Sequence, residues 1–273
     1  MKKKTPLGIA YTALILILLY APIIVMIIFS FNSSRSTSVM TGFSLKWYRD
    51  LLYDSEIIKA LYHSLIIAFL SASISTVLGT MACVGIERMT KKSAKSLLMN
   101  VTNIPMMNPD IVTGISMLLL FTFSGLILKK SDVLGFWTLL ITHITFNLPY
   151  VILSILPKLR QMDAYLSEAA YDLGCTPAKA FFKVVLPSIK TGIISGFLMA
   201  ITLSIDDFVI SYFVTGSSWQ TLPVKIYSMT KRFDPTVYAL STTVFFAILI
   251  LLILKNFFQS KSEKRSIRGE KTE

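Results

Sequence analysis

Residues 61–84 read LYHSLIIAFLSASISTVLGTMACV, an apolar run that contains no Lys, Arg, Asp or Glu. A hydrocarbon layer about 30 Å thick takes roughly 20 such residues of helix to cross. A run that is apolar on every side, rather than along one stripe, belongs inside a bundle or a bilayer. Five further stretches have comparable length and apolarity, at 7–31, 101–128, 135–156, 191–214 and 237–258. The expected fold is therefore all-α, a polytopic membrane protein built as a six-helix bundle. Composition agrees, with 53% hydrophobic and 15% charged residues, where soluble domains carry about 25% charged. A disordered or fibrous chain is excluded by the same figures, and two cysteines make neither a disulfide framework nor a four-ligand zinc site.

The net charge of +12 follows from where the basic residues sit rather than from a nucleic-acid surface. Lys2, Lys3 and Lys4 precede the first run, as in a signal peptide, but that run is too long and lacks a small-residue cleavage site. It reads as a retained anchor. The N-terminus, 87–95, 157–190 and the tail from 255 onward together hold 18 Lys and Arg, and the alternate segments hold 9. Basic loops stay on the cytoplasmic side, which puts both termini there. The expected organisation is an anchor span with a first external loop (1–60), a transmembrane core (61–258) and a basic cytoplasmic tail (259–273). The longest loop, 157–190, is too short to fold as a domain, and the chain has no phosphate-binding loop. Any nucleotide-driven step must then come from a partner chain.

Ser71, Ser75 and Gly79, and Gly192 with Ser195 and Gly196, form small-residue faces that let helices approach closely. Pro22, Pro105, Pro109 and Pro149 predict kinks or broken turns.

The loop SEAAYDLGCTPAKAFFKVVLPSIK, residues 167–190, reads as two short helices about a tight corner. Asp163 caps the first, Gly174 supplies the left-handed position that ends it, and Thr176-Pro177 starts the second, which Leu186-Pro187 ends. From physics alone this is a hairpin that either links two spans or binds a partner. The spacing Glu168-Ala169-Ala170, then Gly174, then Val184-x-Leu186-Pro187 resembles the EAA loop of ABC importer permeases, with Val184 in place of the usual isoleucine. The resemblance implies a type I ABC importer permease fold. It also implies that the loop is a coupling helix in which Glu168, Ala169, Ala170 and Gly174 dock on an ATP-binding subunit.

Three acids fall within the apolar runs: Asp110, Asp206 and Asp207. Each costs about 2.5–3.5 kcal/mol at a helix centre on insertion scales. Lys255, near the end of the last run, is the one Lys or Arg in the six, and none lies in the runs that hold the acids, so those runs offer them no such countercharge. Asp110 is expected near the middle of its span, and Asp206 and Asp207 lie about 100° apart around theirs. Ser204 shares a face with Asp207, and Ser211 lies one turn on. Unpartnered carboxylates mark the path of a cation; protonation, or a base from a neighbouring subunit, is the other reading. A polyamine, with ammonium groups spaced along an apolar chain, fits such a path. Trp47, Tyr48 and Trp219 are candidate cation–π faces or members of an interfacial aromatic belt.

NSSR (32–35), GFSLKWY (42–48), NPDIVTGISMLLLF (108–121), GFWTLLITHITFNLPYV (135–151), SIDDFVISYFVTG (204–216) and LPVKIYSM (222–229) resemble the spermidine/putrescine ABC importer permeases of the PotC type. The resemblance implies a second permease of the PotB type, an ATP-binding subunit dimer and an extracytoplasmic polyamine-binding protein. It implies no cofactor in this chain, ATP and Mg being held by the ATPase. Carried over by position, it puts Trp47, Asp110, Ser204, Asp206 and Asp207 on the substrate path. A permease for another cationic solute and a proton-coupled secondary carrier remain open; a carrier needs no docking helix, and no internal repeat of the carrier kind is evident. No HExxH or GxSxG motif points to an intramembrane enzyme. His143 stands one turn before Asn147, where a polar contact between helices is favoured over proton relay, and no metal-ligand set surrounds it. Residues 47–58 are compatible with a short interfacial helix.

Overall fold

The computed structural model describes residues 6–34, 39–130, 132–163, 165–231, 234–250 and 253. The chain divides into two compact units, one of Met1–Ser55 with Ile226–Glu273 and one of Glu56–Lys225. Among the described residues the only extended pairing is an isolated bridge between Asn32 and Phe43.

In the first unit α1, Pro6–Ser30, runs through Pro22 without a break, and of its apolar stretch Tyr11–Ser30 only Ser30 at the end is buried in this chain. The loop after it is tied down by Asn32. Its Nδ2 donates to the Val39 carbonyl (2.8 Å) and its Oδ1 accepts from the Thr41 amide (3.0 Å). α2, Lys46–Tyr53, is the short amphipathic helix expected there, with Trp47 and Leu51 inward. The last described helix of this unit is the apolar segment Thr236–Ile250; the rest of the sixth expected span, residue 253 apart, and the basic tail lie outside the described residues.

The second unit is organised on two long helices, α3 (Ser55–Glu87) and α6 (Phe136–Gln161). The buried residues of α3 include Ser64, Ala68, Ser71, Ala72, Ser75, Gly79 and Cys83, a small-residue stripe at helical spacing. A Cβ on Gly79 would lie 2.6 Å from Val151 Cγ1, and one on Gly192 3.1 Å from the Ser154 carbonyl. α3 and the helix that begins at Lys190 are thus seated on α6 by residues with almost no side chain. Around this seat Ala72, Cys83, Val151, Ile152, Ile155, Leu156 and Ile189 form the core. Beyond it, Glu87 at the end of α3 pairs with Lys95 (2.9 Å) and Arg160 (3.3 Å).

Two expected spans prove to be discontinuous. Residues 101–128 form α4 (Lys92–Met107) and α5 (Asp110–Ile127), parted at Asn108-Pro109. Pro109 lacks the amide that would continue the ladder and holds the residue before it extended. The helices run on through Pro105 and Pro149, so those expected interruptions do not break them. Residues 191–214 form a helix ending at Asp206 and a second of six residues, Val209–Val214.

The loop between α6 and that broken span contains α7 (Tyr165–Asp172), α8 (Pro177–Ala180), a π-helical turn (Phe181–Val185) and a further turn α9 (Leu186–Ser188). Leu186-Pro187 was expected to end a helix; instead the chain stays helical to Ser188. It then bends by 70° at Ile189 into α10, Lys190–Asp206. After α11, Val209–Val214, the chain turns at Gly216 (φ +64°), where a Cβ would meet the Leu134 carbonyl at 2.6 Å. α12, Leu222–Thr230, follows, and Lys225 at its start pairs with Glu56. Among the described residues four helices are long and apolar enough to cross a membrane, or five when the bent pair Pro177–Ser188 and Lys190–Asp206 is taken as one span.

Candidate functional site

The break in the fifth span is where the polar residues of the bundle meet. α10 stops at Asp206, Asp207 is extended (φ −68°, ψ 117°), and α11 begins two residues later. A helix that restarts inside an apolar environment leaves amides without partners. Asp207 supplies them: its Oδ1 accepts from the Ile210 amide (3.2 Å) and its Oδ2 from the Ser211 amide (2.8 Å) and hydroxyl (2.7 Å). The carboxylate is 6% exposed and lies 3.5 Å from His143 Nε2.

This corrects one expectation. Counting only Lys and Arg left all three acids without a partner in this chain, yet Asp207 has an imidazole, a hydroxyl and two amides. Its charge is a structural cap.

His143, 1% exposed, stands between the two halves of the span. Its Nδ1 is 3.1 Å from Ser204 Oγ on α10 and its Nε2 3.0 Å from Ser211 Oγ on α11. One turn on, Asn147 Nδ2 donates to Ser204 Oγ at 2.9 Å and to Ser71 Oγ of α3 at 3.4 Å, and Ser71 and Ser204 are 3.0 Å apart. α3, α6, α10 and α11 are joined at this point. Sequence reasoning named Ser204, Asp207 and the His143–Asn147 spacing but did not join them. The signal was available: Ser204, Asp207 and Ser211 fall on one helix face, and Asp207 precedes Ser211 at capping distance.

Asp206 is turned the other way. It is exposed, and among the described residues no side chain bonds its carboxylate. A free carboxylate therefore stands within an apolar stretch, on the opposite side from the knot. Asp110 lies at the break between α4 and α5. It is the first residue of α5 and is exposed, where the unpaired amides and the dipole of a helix start favour a negative charge. Gly114, one turn on, faces Phe213 of α11 so closely that a Cβ would lie 2.7 Å from its ring.

Trp47 is packed within the first unit. Its ring is 4% exposed, its Nε1 donates to the Asn32 carbonyl (2.6 Å), and Lys46 Nζ lies 5.3 Å from the ring centroid. Its N–H and a share of its π-density are thus used within the first unit. Tyr48 is likewise held, its hydroxyl 2.7 Å from Ser30 Oγ. Trp219 stacks on His63 (4.0 Å) and leans on Phe136 (4.7 Å) in the second unit.

In the loop, the corner is built as its spacing predicts. The Tyr165 amide donates to Asp163 Oδ1 (3.0 Å), and Gly174 adopts φ +80°. The Gly174 and Cys175 amides donate to the carbonyls of Tyr171 (2.8 Å) and Ala170 (3.0 Å), the reciprocal pattern of a left-handed helix end. Thr176 Oγ1 accepts from the Lys179 amide at 3.4 Å. Glu168, Ala169 and Gly174 are exposed, whereas Ala170 is buried. Beside them Tyr165, Leu173 and Phe182 are exposed, Leu173 at 86%.

The family described as binding-protein-dependent transport system inner membrane component matches residues 75–266. The putrescine transport system permease protein PotI of Escherichia coli (strain K12) is 38% identical over 92% of this chain and 89% of its own. The spermidine/putrescine transport system permease protein PotC of the same organism is 40% identical, over 86% of this chain and 87% of its own. PotC of Haemophilus influenzae is 37% identical over 89% of this chain and 93% of its own. Among solved structures, a bacterial ABC transporter involved in alginate import has a TM-score of 0.71 at 13% identity, covering 90% of this chain and 91% of that one. The MetNI methionine ABC transporter has 0.57 at 20% identity, over 73% and 92%. At these identities the structures share the fold and nothing finer. The matched segment contains the broken span, the EAA loop and all of the polar knot but Ser71, and on that evidence the chain belongs to the binding-protein-dependent transport system inner membrane components, a family of transport permeases and not of enzymes.

Proposed function

We propose that this chain is a membrane-spanning permease subunit of an ATP-driven polyamine importer, forming half of the translocation path beside a second, different permease. The observation that carries the reading is the 37–40% identity, over nearly all of both chains, to permeases named for spermidine and putrescine. The site is consistent with such a cargo. Asp206 and Asp110 are exposed acids at the ends of broken helices, each able to meet an ammonium group of a flexible dication or trication. Ser204 and Asp207 belong to the path as the frame that sets the direction of Asp206. Trp47 contributes by fixing the loop after α1.

Energy reaches the path through the EAA loop. Glu168, Ala169 and Gly174, with the exposed side chains of Leu173 and Phe182, form a face for an ATP-binding dimer, and Ala170 closes the corner beneath it. ATP and Mg belong to that partner. Closure of the dimer shifts the loop and biases a two-state bundle, after which an extracytoplasmic binding protein delivers cargo. The basic segments keep both termini cytoplasmic. Uptake of radiolabelled spermidine and putrescine by the reconstituted complex, with and without ATP, tests the reading. ATP-dependent uptake of either is expected. A complex that moved neither polyamine but moved another cation would reassign the substrate, and uptake driven by a proton gradient without ATP would make it a carrier.

A further inference from the structure

We infer that His143 is a positioning residue of this permease: by bridging Ser204 before the break and Ser211 with Asp207 after it, it fixes the angle at which Asp206 leaves the bundle. The inference rests on the polyamine reading only for the identity of the cargo.

Three features place the histidine in this role. The first is its footing. α6 is packed on both sides through Val151 (0% exposed), which lies against Gly79 of α3 and Gly196 of α10. A side chain projecting from α6 is therefore a fixed reference for the two helices that the break would otherwise leave free to pivot. The second is reach. The imidazole spans from Ser204 Oγ (3.1 Å) to Ser211 Oγ (3.0 Å), so one rigid ring touches the last turn of α10 and the first turn of α11. The third is proton count. Ser211 spends its only hydroxyl proton on Asp207 Oδ2, so it can only accept from His143, and Nε2 must bear a proton. An N–H at that corner of the ring is what the arrangement requires.

The consequence concerns Asp206. Asp206 closes α10 while Asp207 is extended, so the two side chains leave the backbone in different directions. With Asp207 drawn inward by the knot, Asp206 is committed to the outward side. Releasing the knot lets the two acids exchange orientation or lets the break close up.

Glutamine at 143 can return an N–H at the position of Nε2, asparagine reaches only the Ser204 side, and leucine provides neither. The complete complex, with its partner permease, ATPase dimer and binding protein, is compared as wild type, His143→Gln, His143→Asn and His143→Leu. Hydrogen exchange of the peptide containing Ile210 and Ser211 is read beside the concentration dependence of spermidine uptake. Exchange at those two amides is expected to rise about tenfold in the leucine and asparagine variants. Half-maximal uptake is expected to move to higher spermidine in the same two, while glutamine stays within about twofold of wild type. Wild-type exchange in the leucine variant, or a glutamine variant that fails as leucine does, would overturn the assignment. Should leucine prevent assembly, the contrast between glutamine and asparagine decides in the same way. The exchange reading needs no cargo. A wild-type complex that protects these amides through His143 but imports no polyamine sinks the substrate reading and upholds the positioning role.

Discussion

Gly79→Ala is a small change with a calculable penalty. The added methyl would lie 2.6 Å from Val151 Cγ1 and 3.2 Å from Val151 Cβ. Carbon atoms rest at about 3.5–4.0 Å, so the helices must separate by roughly 1 Å or the valine must turn. Turning is blocked twice over. Valine is β-branched and in a helix keeps one strongly preferred rotamer, and Gly196 of α10 closes on the same side chain from the other direction. The expected cost is about 2–3 kcal/mol, the upper part of the range for an overpacked core. For a chain of this size that lowers the melting temperature by roughly 4–12 °C. Val151→Ala alone leaves a void and costs about 1–3 kcal/mol. In the double variant the methyl at 79 enters that void, so the two losses cancel in part, by at least about 1 kcal/mol relative to their sum. Thermal unfolding of the detergent-solubilised complex, followed by size-exclusion chromatography, measures all four proteins. A double variant as unstable as the sum of the singles would show that Gly79 and Val151 are not the contact that seats α3 on α6.

Other perturbations separate cargo, cap, coupling and orientation. Asp207→Ala removes the cap of α11 and should cost about 1–2 kcal/mol of thermal stability, whereas Asp207→Asn, also a good cap, should cost little. Replacing Asp206 and Asp207 together by Asn should abolish spermidine uptake while the complex still co-purifies with its ATPase; unchanged uptake would refute the carboxylate path. Glu168→Lys should leave membrane insertion intact but uncouple ATP hydrolysis from uptake, and normal coupling would remove Glu168 from the docking face. Cys83 is buried and Cys175 partly exposed. An impermeant maleimide should therefore label Cys175 in inverted vesicles only, and labelling from the opposite face would reverse the proposed topology.

Much of this architecture was legible from the residues because membrane helices leave blunt signals. Apolar runs located the helices, and the stripe of Ser71, Ser75 and Gly79 identified the packed face of α3. Asp163, Gly174 and Thr176-Pro177 built the loop corner with the geometry their spacing implied. The breaks were harder to read. At Asn108-Pro109 a proline announces one, but Pro105 and Pro149 announce others that do not occur. At Asp207 there is neither proline nor glycine. The helix ends there because a carboxylate captures the amides of Ile210 and Ser211, a competition that hydropathy does not register. The aspartates misled for a related reason. The polar contact between helices expected of His143 is present, but charge counting looked only to lysine and arginine, although hydrogen bonds to an imidazole, a hydroxyl and amides can hold a buried carboxylate without either. The packing of Trp47 was not legible because aromatic composition alone does not distinguish an open ring from one already packed.

The 70° bend at Ile189 has a mechanical meaning. Ile189 is fully buried and its amide still bonds to the Val185 carbonyl (3.1 Å), so the joint is gripped rather than slack. From it α10 extends for 17 residues, about 25 Å of stiff rod with Asp206 at the tip. A pivot of about 5° at that elbow sweeps the tip through about 2 Å at this length, which is enough to make or lose a contact with an ammonium group. On the coupling proposed above, fulcrum, rod and load belong to one run of chain, and a nudge delivered at the loop would arrive amplified at Asp206.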